Sequence, residues 1–163
     1  TCTVQMARFF MQFTQHESCG KCVPCREGTK QLLAMLDDII AGNGTLETLD
    51  LMEELCENVI SSSLCGLGAS APNPVLSMLH QFRSEWEAHV VNKNCATGQC
   101  SALTPITINP KSCVECTMCA KKCPVGAITA QKGEPFYIDP AKCVKCGVCI
   151  NVCKFHAIRR GTL

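Results

Sequence analysis

The cysteine spacing in the last third of the chain constrains its fold more than any other feature. The pattern Cys-x-x-Cys-x-x-Cys-x-x-x-Cys occurs twice, thirty residues apart, and uses eight of the sixteen cysteines. The flanking residues repeat as well, since ITINPKSCVECTMCAKKC aligns with FYIDPAKCVKCGVCINVC. A repeat that keeps its flanking strand and proline predicts a folded unit. Three closely spaced thiolates followed by a fourth are the ligand pattern of 4Fe-4S clusters, so the repeat predicts two of them.

The repeat resembles two-cluster ferredoxins, in which the fourth cysteine of each run binds the other cluster. That resemblance implies one cluster on Cys113, Cys116, Cys119 and Cys153 and another on Cys143, Cys146, Cys149 and Cys123. Zinc on the same thiolates is the alternative, although zinc sites usually combine pairs of Cys-x-x-Cys. The sequence departs from the ferredoxin pattern at one point, because Lys154 replaces the proline that Pro124 provides in the first copy. A cation and an added N–H donor there would favour the reduced form of the neighbouring cluster.

Residues 1–92 have the apolar periodicity of helices. Four helical patterns are predicted: Val4 to Thr14, Pro24 to Gly42, Thr45 to Val59 with Thr45 as N-cap, and Asn73 to Val90. Short loops join them, which favours a small helical bundle. Trp86 and the phenylalanines at positions 9, 10, 13 and 82 fall at helical spacing and are predicted to lie in its core.

The fold class predicted is therefore α+β, a small helical bundle followed by a bacterial-type two-cluster ferredoxin-like domain. Residues 1–92 would form the bundle and residues 105–163 the ferredoxin-like domain. Residues 93–104, with the sequence KNCATGQCSALT, have little apolar periodicity and are predicted to be a hinge or linker.

The bundle contains a cysteine triplet of its own, Cys19, Cys22 and Cys25 in SCGKCVPCREG. Three thiolates require a fourth ligand to complete a 4Fe-4S site. Two downstream cysteines are candidates, Cys56 within the third helical pattern and Cys65 in SSSLCGLG, where glycines allow close backbone approach to a cluster.

The segments ESCGKCVPCREGTKQLL and SLCGLGASAPNPVLSMLHQFRSEWEAHV closely resemble the C-terminal helical domain of a flavoprotein family. This is the NADH-binding flavoprotein subunit of respiratory complex I, NAD-dependent formate dehydrogenases and multimeric FeFe hydrogenases. The resemblance implies a bundle 4Fe-4S cluster on Cys19, Cys22, Cys25 and Cys65. The fused ferredoxin domain is similar to that of NAD(P)-linked, electron-bifurcating FeFe hydrogenases.

This resemblance implies electron transfer through three 4Fe-4S clusters, as part of an NAD(P)-linked oxidoreductase of hydrogenase type. FMN and NAD(P) are expected in an upstream domain, because the 163 residues of this sequence contain no glycine-rich phosphate loop. The expected partners are a thioredoxin-like 2Fe-2S subunit, a hydrogenase or formate dehydrogenase catalytic subunit, and an external ferredoxin. Thr1 is not an initiator methionine, so the chain is expected to be a piece of a longer protein.

Two alternatives remain open, the equivalent subunit of an NAD-dependent formate dehydrogenase and a free-standing ferredoxin-like carrier or adaptor. In the second case the bundle would serve only as a binding surface. The sequence contains no nucleophile–base or paired-carboxylate constellation, so no catalytic side chain is predicted.

Four cysteines remain, and three of them suggest a second kind of metal site. Cys56, His89, Cys95 and Cys100 would provide three thiolates and an imidazole for zinc, which would fix the hinge to the bundle. A ferredoxin-like domain swinging from that point would gate electron flow. Alternatively, Cys56 is a buried apolar cysteine and the other two are spare thiols. Cys2 is assigned to packing or solvent.

Composition excludes several other classes of protein. The formal charge is +1 without a basic run, which argues against nucleic acid as a partner. Apolar runs are too short to span a bilayer. Tight cysteine triplets without a signal-like stretch favour metal sites over a secreted disulfide scaffold. The expected location is therefore a reducing cytoplasm, that of an anaerobic organism.

Overall fold

The structure is a computed structural model that describes residues 1–130 and 136–161. It divides into two compact units, Thr1–Leu103 and Thr104–Leu163. The first unit is helical: α1 (Thr3–Glu17), α2 (Val23–Ala41), α3 (Leu46–Ser62), α4 (Gly66–Ser70), α5 (Asn73–Gln81) and α6 (Arg83–Val90). The second contains β1 (Ile106–Ile108), α7 (Met118–Lys122), β2 (Ile128–Thr129), β3 (Tyr137–Ile138), α8 (Val148–Val152) and β4 (Ile158–Arg160).

Local signals explain where the long helices begin and end. Pro24 lies in the first turn of α2, where its missing N–H removes no helical hydrogen bond. Gly42 ends that helix in the left-handed conformation, with φ of 93°, and its N–H reaches the Ile39 carbonyl. Thr45 and Thr48 form a reciprocal capping box at the start of α3, which confirms the predicted N-cap.

The bundle core forms where the apolar stripes of these helices meet. Fully buried side chains come from every long helix: Val4, Ala7, Met11, Leu32, Leu36, Ile39, Leu49, Met52, Leu79 and Trp86. Burying this apolar area is the main favourable term in folding the unit.

The structure corrects two sequence predictions for the bundle. The predicted fourth helix is two helices, because at Phe82 the backbone leaves helical geometry with φ of −120° and ψ of 33°. Trp86 is buried as predicted, but Phe9, Phe10, Phe13 and Phe82 are exposed, so their assignment to the core is wrong. In α1 the residues Val4, Ala7 and Met11 form the inward stripe, and the phenylalanines lie outside it.

In the second unit, each half of the repeat consists of a strand, a cysteine loop, a helical turn and a second strand. Its halves exchange strands: β1 pairs antiparallel with β4, and β2 pairs antiparallel with β3. The register places Ile108 opposite Ile158 and Ile128 opposite Ile138. The isoleucines of all four strands pack with Cys119 and Cys149 in one core. Each cysteine loop is therefore held by strands from both halves.

Most of the predicted hinge belongs to the bundle unit. Cys95, Cys100 and Leu103 are buried in the same core as the helices. The division between the units falls after Leu103, so the part of the segment that precedes it is anchored. Among the described residues, none of the helices combines the length and apolarity needed to cross a bilayer.

Candidate iron–sulfur and metal sites

The two cysteine loops of the second unit have the same backbone conformation. Glu115 and Thr117 in the first loop have φ values of 56° and 65°, and Lys145 and Gly147 in the second have 53° and 83°. Left-handed backbone is uncommon for residues other than glycine, so its recurrence at equivalent positions marks a shared loop geometry. In the second loop this geometry brings the Lys145 N–H to the Cys143 sulfur at 3.4 Å.

Each predicted set of four cysteines in this unit lines a single cavity. Cys113, Cys116, Cys119 and Cys153 line one open cavity. Cys143, Cys146, Cys149 and Cys123 line another. In both cases the fourth cysteine comes from the other copy of the repeat, because the strand exchange brings the end of each run beside the opposite loop.

The electrostatics of these cavities suit a bound cationic cluster core. Burial raises the pKa of Cys119 and of Cys149, and the neighbouring thiols of each triplet raise them further. Thiols so crowded lose their protons readily only when a metal neutralises them. Cys123 already accepts a hydrogen bond at 3.3 Å from the Ala127 N–H, the kind of contact that tunes a cluster's potential.

The bundle triplet and Cys65 also share an open cavity, with Ser18, Lys21 and Leu67 on its wall. Cys22 is the N-cap of α2 and Cys25 lies in its first turn, where the helix dipole favours thiolates. Backbone N–H groups of Leu64 and Cys25 lower the pKa of Cys22. The loop that carries Cys65 thus also donates to the triplet.

Two glycines allow the parts of this site to approach one another. A Cβ at Gly28 of α2 would lie 2.2 Å from Cγ2 of Val59 in α3. A Cβ at Gly68 would lie 2.5 Å from the Ser63 hydroxyl oxygen and 3.1 Å from the Cys25 β-carbon. The distances of 2.2 Å and 2.5 Å are too short for a real side chain, so glycine at positions 28 and 68 allows the close approach of the triplet and the Cys65 loop.

A second kind of site lies elsewhere in the bundle unit, where Cys2, His89, Cys95 and Cys100 are all buried. Their ligand atoms lie within 4.8 Å of one another. The Cys2 sulfur is 3.3 Å from His89 Nε2 and 3.8 Å from the Cys100 sulfur. Tetrahedral zinc with Zn–S bonds of about 2.3 Å would place its sulfurs about 3.8 Å apart, so the group has the dimensions of such a site.

The protonation of this group also fits a metal. His89 Nδ1 lies 2.7 Å from the Glu85 carbonyl, which can only accept, so Nδ1 carries the proton and Nε2 faces the thiols. Hydrogen bonding between Cys2 and Cys100 lowers the pKa of Cys2 and raises that of Cys100. Burial lowers the pKa of His89, but hydrogen bonds to Cys2 and Glu85 outweigh it and raise the pKa to about 9. Without a metal the group therefore favours a Cys2 thiolate beside a His89 imidazolium, and a metal that binds at Nε2 would displace the proton from that nitrogen.

The structure corrects one residue of the predicted zinc set. Cys56 does not join His89, Cys95 and Cys100, and Cys2 takes its place. Cys56 faces the helical core, where desolvation, with smaller contributions from Glu53 and Glu57, raises its pKa to about 12. Cys2 reaches the group because α1 packs against α5 and α6, a contact that local spacing does not reveal.

These features place the chain among the 4Fe-4S proteins. Residues 5–89 match the family described as the NADH-ubiquinone oxidoreductase-F iron-sulfur binding region, and residues 112–157 match the 4Fe-4S dicluster domain. The chain belongs to the first of these families and carries a dicluster domain after it. The resemblance identified in the sequence is thereby confirmed.

Individual relatives agree with this assignment. The chain is 46% identical over 134 residues to the NADP-reducing hydrogenase subunit HndC of Solidesulfovibrio fructosivorans, a match covering 82% of this chain and 27% of that protein. It is 43% identical over 95 residues to a subunit of the NADH-quinone oxidoreductase of Streptomyces coelicolor, covering 58% of this chain and 21% of that one. The chain thus spans about a quarter of the length of these relatives.

A solved structure shows the same relationship. The chain is similar to a chain of an NAD+-reducing [NiFe]-hydrogenase in its H2-reduced state, with a TM-score of 0.53 and 37% identity. The match covers 55% of this chain and 16% of the hydrogenase chain.

Proposed function

We propose that this chain transfers electrons through three 4Fe-4S clusters within the NAD(P)-linked flavoprotein subunit of a multimeric hydrogenase. The observation that carries the proposal is the presence of three cavities, each lined by four cysteines, in one chain. The similarity to HndC supports the hydrogenase type, because that match covers 82% of the chain, more than the bundle alone.

The ligand sets proposed are Cys19, Cys22, Cys25 and Cys65 for the bundle and the two crossed sets for the repeat. A bound 4Fe-4S cluster supplies one-electron storage at each cavity. The residues of this chain hold it by thiolates, surround it with apolar side chains such as Ile108 and Val148, and donate N–H groups to the sulfurs. FMN and NAD(P) would bind in an upstream domain, and electron bifurcation is part of the same proposal.

The equivalent subunit of an NAD-dependent formate dehydrogenase is the alternative, and so is a free-standing carrier or adaptor. Identifying co-purifying subunits distinguishes them. A thioredoxin-like 2Fe-2S subunit with a hydrogen-activating subunit supports the hydrogenase, whereas a molybdenum or tungsten subunit supports the formate dehydrogenase. A chain that purifies alone and starts near Thr1 supports the carrier.

We further propose a structural zinc ion on Cys2, His89, Cys95 and Cys100. It would join the residue before α1, the last turn of α6 and the segment after it, and so fix that segment to the bundle. Motion of the ferredoxin-like unit would then begin beyond this point and gate electron flow.

The charge of the second unit supports an external ferredoxin as a partner. Residues 104–163 contain nine Lys and Arg against three Asp and Glu, whereas residues 1–103 contain six against eleven. Two oxidised clusters at about −2 each would still leave residues 104–163 at about +2. Lys111, Lys121, Lys122 and Lys154 are exposed and, within the described part of the chain, form no ion pair. Such a surface attracts an acidic redox protein.

The test of the main proposal is the iron content of anaerobically purified protein. Three four-iron sites predict about twelve iron and twelve acid-labile sulfide atoms per chain. A Cys65→Ser variant should lower the iron content toward about eight while the other two clusters keep their electron paramagnetic resonance (EPR) signals. A wild-type content near eight would eliminate the bundle cluster.

A further inference from the structure

Ser18 lies at the wall of the bundle cavity, between the end of α1 and Cys19. Its hydroxyl oxygen is 3.4 Å from the sulfur of Cys25. It also accepts a hydrogen bond at 3.3 Å from the N–H of Gly20. These two contacts fix the direction of the hydroxyl.

The direction follows from which groups can donate. The Gly20 N–H can only donate, so it uses a lone pair of the Ser18 oxygen. A Cys25 sulfur that holds iron is a thiolate and can only accept. Of these two neighbours, only the Cys25 thiolate can accept the hydroxyl proton of Ser18 once the site is loaded.

Two features of the loop around Gly20 stabilise the position of the Ser18 hydroxyl. Gly20 has φ of 69°, a left-handed conformation that turns its N–H back toward Ser18. The Gly20 carbonyl accepts a hydrogen bond at 2.7 Å from Arg26 Nη1 in α2. Cys25 itself is only 4% exposed, so a hydrogen bond to its sulfur acts at low dielectric, where it counts most.

We propose that Ser18 is a positioning residue that sets the reduction potential of the bundle cluster by donating a hydrogen bond to the Cys25 thiolate. A donor to a ligand sulfur stabilises the extra negative charge of the reduced cluster, so it raises the potential. The proposal rests on the bundle cavity holding a cluster, and it goes beyond that by naming a residue which is not a ligand.

The test is a potentiometric titration of the bundle cluster's EPR signal in the full chain. Ser18→Ala should shift the bundle potential downward, by an equilibrium factor of about three to ten, where tenfold equals about 59 mV for one electron. The two clusters of the repeat serve as internal references and should not shift. Ser18→Thr, which keeps a hydroxyl, should retain the wild-type potential.

Ser70→Ala is the matched control, because the Ser70 hydroxyl bonds to the Gly66 carbonyl and not to a sulfur. An unshifted potential in Ser18→Ala, or an equal shift in the threonine or control variants, would overturn the proposal. If Ser18→Ala loses iron, Ser18→Gly removes the same donor and is titrated instead, with the same expected shift. A wild-type iron content near eight would instead count against the proposed bundle cluster, which separates the two failures.

Discussion

At the scale of single residues, Cys2 lies in the position beside His89, Cys95 and Cys100 that spacing suggests for Cys56. Cys2 lies 87 positions from His89 along the chain, and yet its sulfur is 3.3 Å from the imidazole. Cys56 lies on the buried face of α3 among apolar side chains. We therefore predict that Cys2→Ser loses about one zinc ion per chain, because a tetrahedral site with three protein ligands binds structural zinc poorly.

The matched control is Cys56→Ala, which removes a sulfur of the same core without touching the proposed site. It should retain the zinc ion, and both variants should keep wild-type iron. Metal analysis by mass spectrometry measures both elements in one sample. Zinc retained in the Cys2 variant, or lost only in the Cys56 variant, would contradict the assignment.

These two residues also show what local sequence can and cannot predict about the sites. Triplets such as Cys113, Cys116 and Cys119 are local, since three ligands within seven residues must share one loop. His89, Cys95 and Cys100 are close enough in sequence to be grouped correctly. The fourth ligand arrives through the packing of α1 on α5 and α6, and that contact depends on the whole core rather than on spacing.

At the scale of helices, the close contact between α2 and α3 sets the geometry of the bundle site. Gly28 lies three residues after Cys25, and Val59 lies six residues before Cys65. A Gly28→Ala substitution would place a methyl group 2.2 Å from the Val59 side chain. We expect it to cost about 1–3 kcal/mol through overpacking and to separate the triplet from Cys65, which lowers bundle-cluster occupancy.

Thermal unfolding and iron content measure the two effects of Gly28→Ala. The double variant Gly28→Ala/Val59→Ala frees the space again and should recover part of the lost iron. Gly66→Ala is the control, because a Cβ at Gly66 meets nothing within 4 Å. Equal iron loss in the Gly66 variant would show that the Cys65 loop, and not the helix contact, limits the site.

The helices also show why the bundle was predicted better in outline than in detail. The capping box at Thr45 and the proline and glycine at the ends of α2 are local signals, and the structure confirms them. The phenylalanines of α1 are more apolar than Ala7, yet Ala7 faces the core. Which stripe turns inward depends on how α1 packs against the other helices, so the helical spacing of the phenylalanines alone favoured the wrong face.

At the scale of the whole molecule, the two units carry opposite charge, and this has a kinetic consequence. Residues 104–163 combine their excess of Lys and Arg with exposed apolar side chains beside the cysteines, among them Val114, Val144 and Phe155. Excess positive charge speeds the docking of an acidic partner by electrostatic attraction, and exposed apolar side chains provide contact area. Salt screens that attraction, since the Debye length falls to about 3 Å at 1 M ionic strength.

We therefore predict that the second-order rate of electron transfer with an acidic two-cluster ferredoxin falls about tenfold or more between low and high salt. Stopped-flow absorbance with the reduced ferredoxin measures the rate. Lys121→Gln/Lys122→Gln should lower the rate at low salt and flatten its salt dependence, because both side chains are exposed on the last turn of α7. Lys30→Gln, which removes a single positive charge from the acidic bundle unit, should leave the salt dependence unchanged. A rate that is independent of salt, or one that rises with it, would mean that the excess positive charge of residues 104–163 does not guide the encounter.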